Sequence, residues 1–203
     1  MKGLVYDCEI IQCIPDREML PQYKYCAGWK DFKNMGISVI GTCDIVTGEL
    51  KAFVNSEWSH LGYPSFSEFQ KLIYKVQLGG GSIIGFNSFN FDDSLCHANG
   101  IVVRSDYDLL RLVRLAAYGN VSWESQPCGY SYSLNAIASA NGYAKTGSGG
   151  SAPKLWQDEK YQEVIDYCLN DCFITYKLFE KFANGELIDP NNGKILKPCI
   201  LSD

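Results

Sequence analysis

Residues 4–11 read LVYDCEII, an apolar, β-branched run that carries two carboxylates. This composition predicts a buried β-strand. Because side chains alternate between the two faces of a strand, Asp7 and Glu9 share one face. Two buried carboxylates without partners would strongly destabilise a fold. The pair is therefore expected to bind cations, and the alternative is an exposed face of an edge strand.

A second apolar run ends near another carboxylate. Residues 82–87, SIIGFN, predict a short buried strand, and Asp92 follows where the next helix is expected to begin. Carboxylates at the carboxyl ends of strands lie where α/β sheets build their sites. The alternative is that Asp92 or Asp93 only caps the helix. The spacing Asn-x-x-x-Phe-Asp, which begins at Asn87, selects Asp92 and leaves Asp93 as the solvated or capping neighbour.

The third segment lies in the longest predicted helix, residues 160–182. Tyr167 and Asp171 are four residues apart and therefore share one helix face. Aspartate is unfavourable in a helix interior, so its presence beside an apolar stripe requires an explanation. The alternative is a solvated helix edge with a Tyr–Asp hydrogen bond.

The remaining patterns predict an α/β domain over residues 1–183 with a short tail. Predicted strands at 37–44 and 49–54 form a hairpin, and Ser65 with Glu68 predicts a capping box at a helix start. Two further helices are predicted at 107–118 and 133–140, and Asp106 and Asp108 are read as the start of the first. The segments without regular structure are an irregular insertion at 12–36 and a loop at 146–151. Residues 184–203 are predicted to form a C-terminal hairpin or tail around an Asn-Gly turn.

The motifs Asp-x-Glu, Asn-x-x-x-Phe-Asp and Tyr-x-x-x-Asp, in this order, resemble those of the DEDD exonucleases. That superfamily includes the proofreading domains of DNA polymerases and stand-alone predicted nucleases. The resemblance covers residues 3–182, apart from the insertion 12–36. It implies an α/β fold, with a ribonuclease H-like mixed sheet flanked by helices. The superfamily has two branches: one has a His five residues before the last Asp, and the other has a Tyr four residues before it. In this sequence Asp166 lies five residues before Asp171 and Tyr167 lies four residues before it, so the chain resembles the tyrosine branch.

The resemblance implies a metal-dependent 3′→5′ exonuclease that acts on the 3′ end of single-stranded DNA or RNA. Its cofactors are two divalent cations, and carboxylate oxygens suit Mg²⁺ or Mn²⁺. By resemblance, Asp7 bridges the cations, Glu9 and Asp171 complete one site, and Asp92 supports the other. Tyr167 would orient the attacking water, since a reference pKa near 10 makes it a poor base. The alternatives are an endonuclease on the same fold and a nuclease-like domain that binds nucleic acid without cleaving it.

Several other side chains have two open interpretations. Phe89, Trp156 and Tyr161 are candidates for stacking on an unpaired terminal base, and a core position is the alternative for each. Lys154 is expected either to contact phosphate or to be solvated. Asn87 is expected to order the turn beside Asp92 rather than to bind metal.

Composition, net charge and cysteine content exclude several classes of protein. The 203 residues are 46% hydrophobic and 20% charged, which is typical of a globular domain, and the net charge of −5 argues against a protein that coats DNA. No apolar run approaches the roughly 20 residues of a membrane span, and Asp7 and Glu9 argue against a signal peptide. Nine cysteines without a CxxC pair and only two histidines argue against zinc and predict reduced, buried thiols. We therefore expect a cytoplasmic protein whose polymerase, helicase or recombination partner would be a separate chain.

Overall fold

The computed structural model describes residues 2–147 and 149–198, and its centre is a five-stranded mixed sheet. The strands are β1 (Gly3–Ile10), β2 (Ile37–Asp44), β3 (Leu50–Val54), β4 (Ser82–Gly85) and β5 (Tyr107–Asp108). Their order is β3-β2-β1-β4-β5, in which β2 is antiparallel to β1 and β3, and β4 is parallel to β1 and β5. The predicted ribonuclease H-like α/β sheet flanked by helices is confirmed, with β1 at its centre.

The helices cover both faces of this sheet. They are α1 (Phe32–Met35), α2 (Phe66–Leu78), α3 (Asp92–Ala98), α4 (Leu109–Tyr118), α5 (Leu134–Ala140), α6 (Ala152–Gln157) and α7 (Tyr161–Ala183), with short 3₁₀ helices at Ser56–Leu61 and Trp123–Ser125. The predicted capping box is present, because the backbone N–H of Ser65 donates to Glu68 Oε2 at 2.8 Å. The sequence did not predict α6, which follows a Gly/Ser-rich loop and has a proline in its first turn.

Alternation along β1 decides what each of its faces contacts. Tyr6 and Cys8 belong to an apolar cluster with residues of α2 and α3. Val5 points the other way and packs in the cluster that includes residues of α7. Asp7 and Glu9 follow the parity of Val5, so the central strand directs both carboxylates toward α7.

Helix α7 approaches the sheet closely where it crosses β2. A Cβ atom placed on Gly41 would lie 2.9 Å from Cys168 Sγ, closer than real Cβ atoms approach their neighbours, and 3.0 Å from Cys172 Sγ, which is also tight. Glycine at this strand position therefore permits the close contact. The contact sets the height of Tyr167 and Asp171 above the sheet.

Residues 12–36 are largely irregular in structure. This segment contains α1 and a single bridge between Cys13 and Tyr25, where the chain returns toward its starting point. Prolines and mixed charges without apolar periodicity explain why no longer element forms there.

The predicted C-terminal hairpin is reduced to one antiparallel bridge between Ile188 and Ile195. Leu187 is fully buried, so this part of the tail packs against the domain. Residues 199–203 of the predicted tail lie outside the described residues.

Within residues 2–147 and 149–198, none of the helices has the length and apolar character needed to span a bilayer. The cysteines of this part of the chain are free thiols, and all but Cys128 are buried. They pack as small apolar side chains.

Candidate metal centre

The predicted site residues meet at one cavity of about 580 Å³ between the sheet, α7 and the insertion. All five of the side chains predicted from the three motifs line it: Asp7, Glu9, Asp92, Tyr167 and Asp171. They come from β1, from the start of α3 and from the middle of α7. Residues far apart in the sequence thus converge in one place.

The carboxylates of Asp7 and Glu9 lie near the thiol of Cys168 in α7. Cys168 Sγ is 3.6 Å from Asp7 Oδ2 and 3.4 Å from the backbone oxygen of Asp7, so the thiol donates to this residue. Among the described residues, one oxygen of Asp7, one oxygen of Glu9 and Cys168 Sγ lie within 4.8 Å of one another. This spacing allows the three to bind one ion together.

Asp92 is held against β1 by the backbone. Its Oδ1 accepts a hydrogen bond from the N–H of Cys8 at 3.0 Å, and the side chain is buried. Asp93 points elsewhere and accepts hydrogen bonds from the hydroxyl of Tyr6 and from the N–H and hydroxyl of Ser105. The expectation that Asp93 is solvated or caps the helix is therefore wrong, because it connects β1 to the segment before β5.

The segment that precedes Asp92 is ordered by a buried carboxylate. Asp108 accepts from the N–H groups of Asn87 at 2.9 Å and Phe89 at 3.3 Å, and from the first turn of α4, which it caps as predicted. Asn87 has a φ of 60° and also lines the cavity, which agrees with a turn-ordering role. Asp106 does not start the helix; it accepts from the N–H of Ile83 at 2.7 Å and joins this loop to β4.

Lys145 is a site residue that the sequence did not reveal. Its Nζ lies 2.5 Å from Asp171 Oδ2 and 2.9 Å from the hydroxyl of Tyr167. A single lysine in a polar loop carries no periodic signal, and its position becomes visible only when the loop folds over α7. The other oxygen of Asp171 is buried and has no hydrogen-bond partner within the described part of the chain.

The carboxylates raise one another's pKa. Loss of solvation is the largest cause of the raised pKa of Asp7 and Glu9, followed by the charges of neighbouring carboxylates, and Lys145 acts in the opposite direction. Burial raises the pKa of Asp92 to about 7. Four converging carboxylates, with one oxygen of Asp171 unpartnered among the described residues, are a donor set that fits divalent cations, and Lys145 offsets part of their negative charge.

Two of the three aromatic residues proposed for stacking, Trp156 and Tyr161, pack in one apolar cluster, and Phe89 is half-buried. Trp156 is buried and packs edge-on against Tyr161, with ring centroids 4.7 Å apart, and Arg111 lies over the ring of Phe89 at 5.1 Å. Within the described residues, the cavity wall includes Lys154 but none of these three aromatics. It does include Trp29, in the insertion, which sequence reasoning overlooked because no motif surrounds it.

Neither a family model nor a curated protein matches the chain. Among solved structures, the nuclease domain of 3′hExo, a DEDDh family member, bound to rAMP, is similar at 12% sequence identity. The alignment covers 98% of each chain with a TM-score of 0.38. At this identity and TM-score the likeness carries no information on substrate or reaction, so the residues of the cavity decide the functional interpretation.

Proposed function

We propose that this chain is a metal-dependent 3′→5′ exonuclease that hydrolyses phosphodiester bonds of single-stranded DNA or RNA. The observation that supports it is the convergence of Asp7, Glu9, Asp92 and Asp171 on one cavity. A buried group of carboxylates with so little compensating positive charge is unfavourable without cations. The order and spacing of the three motifs support the 3′→5′ direction.

The four carboxylates would hold two Mg²⁺ or Mn²⁺ ions. When bound, such ions lower the pKa of a water and neutralise charge on the phosphate. Tyr167 lies at the wall of the same cavity, where its hydroxyl can hydrogen-bond a water and orient it. Lys145 keeps Asp171 in place through their ion pair.

Hydrolysis of 5′-labelled single strands of DNA and RNA, with Mn²⁺ and with a chelator, tests this proposal. We expect a ladder that shortens from the 3′ end only when metal is present, and resistance when the 3′ end is blocked. Asp171→Asn should abolish the ladder. Asp166→Asn is the matched control, because Asp166 is exposed on the same helix.

The other outcomes identify the alternatives. Equal cutting of a circular single strand would indicate an endonuclease. Metal-dependent strand binding without any hydrolysis would indicate a domain that binds nucleic acid without cleaving it.

A further inference from the structure

We infer that Trp29 is the stacking platform for an unpaired base of the substrate, so the insertion 12–36 selects single strands. The inference rests on the proposed function and adds to it a residue that determines substrate choice. It concerns a segment outside the three motifs.

Trp29 combines a largely exposed side chain with a position in the wall of the cavity. Its side chain is 70% exposed, yet it lines the same cavity as the four carboxylates. Ile14, Pro15 and Pro153 line this cavity too, which gives it an apolar portion. An exposed indole beside a carboxylate cluster has a flat apolar face free for a ligand that is itself flat and is attached to a phosphate.

The insertion is held in place by the end of α6. The side-chain amide of Gln157 accepts from the N–H of Lys24 at 2.7 Å and donates to the carbonyl of Ile11 at 2.9 Å. The hydroxyl of Tyr23 donates to the carboxylate of Asp158, which immediately follows α6, at 2.9 Å. These contacts tie the insertion, and Ile11 immediately before it, to the element that contributes Pro153 to the cavity.

The loop that carries Trp29 is also fixed locally. Asp31 Oδ2 accepts from the N–H of Ala27 at 2.7 Å, and the N–H of Asp31 donates to the carbonyl of Gly28 at 3.0 Å. The indole is therefore presented by an ordered turn. Less conformational entropy is lost when a ligand stacks on a group that is already positioned.

Stacking on an indole explains a preference for single strands. Every base has a π-face, so an aromatic platform accepts all bases, but the faces of a base within a duplex are already covered by its neighbours. Lys154, which lines the cavity, supplies positive charge for the phosphates of the same strand. We expect weak base preference and slow degradation of paired 3′ ends.

The test compares Trp29→Ala with Trp123→Ala on a single-stranded oligonucleotide in Mn²⁺. Trp123 is the matched control because its exposed fraction, 69%, nearly equals that of Trp29, and it lies in a 3₁₀ helix outside the described lining of the cavity. Loss of one base–aromatic stack should raise KM roughly 5- to 100-fold with little change in kcat. Trp29→Phe should recover most of the loss, and Trp123→Ala should behave as the wild type.

Oligonucleotides with one abasic nucleotide among the last three positions locate the stacked base. At one of these positions, removal of the base should erase the difference between Trp29→Ala and the wild type. A penalty that is the same on all substrates, or equal to that of Trp123→Ala, would overturn the inference. If the proposed function is wrong, the wild type will not hydrolyse the oligonucleotide at all. In that case, fluorescence anisotropy of a labelled oligonucleotide still compares strand binding by the two variants.

Discussion

The hydroxyl of Tyr167 has a pKa raised above its ordinary value near 10, so it is protonated at neutral pH. Burial is the largest cause of its raised pKa, and the charges of Glu9 and Asp171 add to it. The phenol can thus donate a hydrogen bond to water but cannot serve as a general base. Tyr167→Phe should slow turnover by about 10²-fold, the lower end of the range for such assistance. Calorimetry should show unchanged Mn²⁺ binding, and an unchanged rate would reduce Tyr167 to a packing role.

Lys145 compensates charge at Asp171 when no cation is bound. Both side chains are largely buried, and removal of one partner from such a pair costs about 3 kcal/mol. Lys145→Met should therefore lower the Tm of the metal-free protein, and Mn²⁺ should raise the Tm more in this variant than in the wild type. Lys154→Met removes an equal charge from the same cavity. An equal loss of Tm in both variants would show that the overall charge of the cavity, and not the Lys145–Asp171 ion pair, stabilises the metal-free protein.

Two adjacent aspartates should respond differently to the same change. Asp92 faces the cavity, so Asp92→Asn should abolish hydrolysis and weaken Mn²⁺ binding. Asp93 accepts from Tyr6 and Ser105, so Asp93→Asn should lower the free energy of unfolding by about 1–3 kcal/mol and spare most activity. Activity assays and urea unfolding on both variants measure this. Loss of activity in Asp93→Asn alone would mean that the middle motif is misaligned.

At the scale of elements, the site depends on how closely α7 lies on β2. Gly41→Ala would place a methyl group 2.9 Å from Cys168 Sγ and 3.2 Å from the backbone oxygen of Cys168, so we expect α7 to shift slightly away from β2. Overpacking of this kind costs about 1–3 kcal/mol. We expect a lower Tm together with weaker Mn²⁺ binding, because Tyr167 and Asp171 move with the helix.

Gly79→Ala is the control for this change. Gly79 lies at the C-terminus of α2, where a Cβ atom would make only ordinary contacts of 3.4 Å. If Gly41→Ala changed stability without changing metal binding, the height of α7 would not control the site.

The elements also show what the sequence can and cannot predict. β1 and α7 follow from alternation and from an apolar stripe at helical spacing, both of which are local patterns. β5 has two residues and is created by pairing with β4, so no local pattern marks it. α6 follows a Gly/Ser-rich loop that conceals its start.

The cavity residues also divide into those that local sequence patterns reveal and those that only tertiary contacts place there. Asp7, Glu9 and Asp92 could be predicted as cavity residues because each carboxylate lies in, or shortly after, an apolar strand that a local pattern reveals. Lys145 and Trp29 line the cavity through loops, and a loop's path depends on tertiary contacts such as those of Gln157 with the insertion.

The whole molecule should lose stability as pH rises when metal is absent. Asp7, Glu9 and Asp92 have raised pKa values in the folded chain, that of Asp92 about 7, against about 4 when unfolded. Between these values the folded state keeps protons that the unfolded state releases. Its stability therefore falls as pH rises through this window.

Thermal unfolding in a chelator should accordingly give a lower Tm at pH 7.5 than at pH 5. Mn²⁺ should raise the Tm more at pH 7.5, where the ligands are deprotonated. Asp92→Asn should flatten the pH dependence, whereas Asp166→Asn, on the exposed side of α7, should leave it unchanged. A Tm that rose with pH in the chelator would contradict the proposed crowding of carboxylates.

The contact of α7 with β1, through Cys168 and Asp7, has a consequence for the order in which the ribosome synthesises the residues of the site. Asp7 and Glu9 emerge first, Asp92 follows, and Tyr167 and Asp171 emerge only when α7 is made. Until then the carboxylates lack the helix that covers them, and no enclosed site exists. On the proposed function, a nascent chain would be harmless to the messenger from which it is being translated, and activity would appear only once α7 has docked.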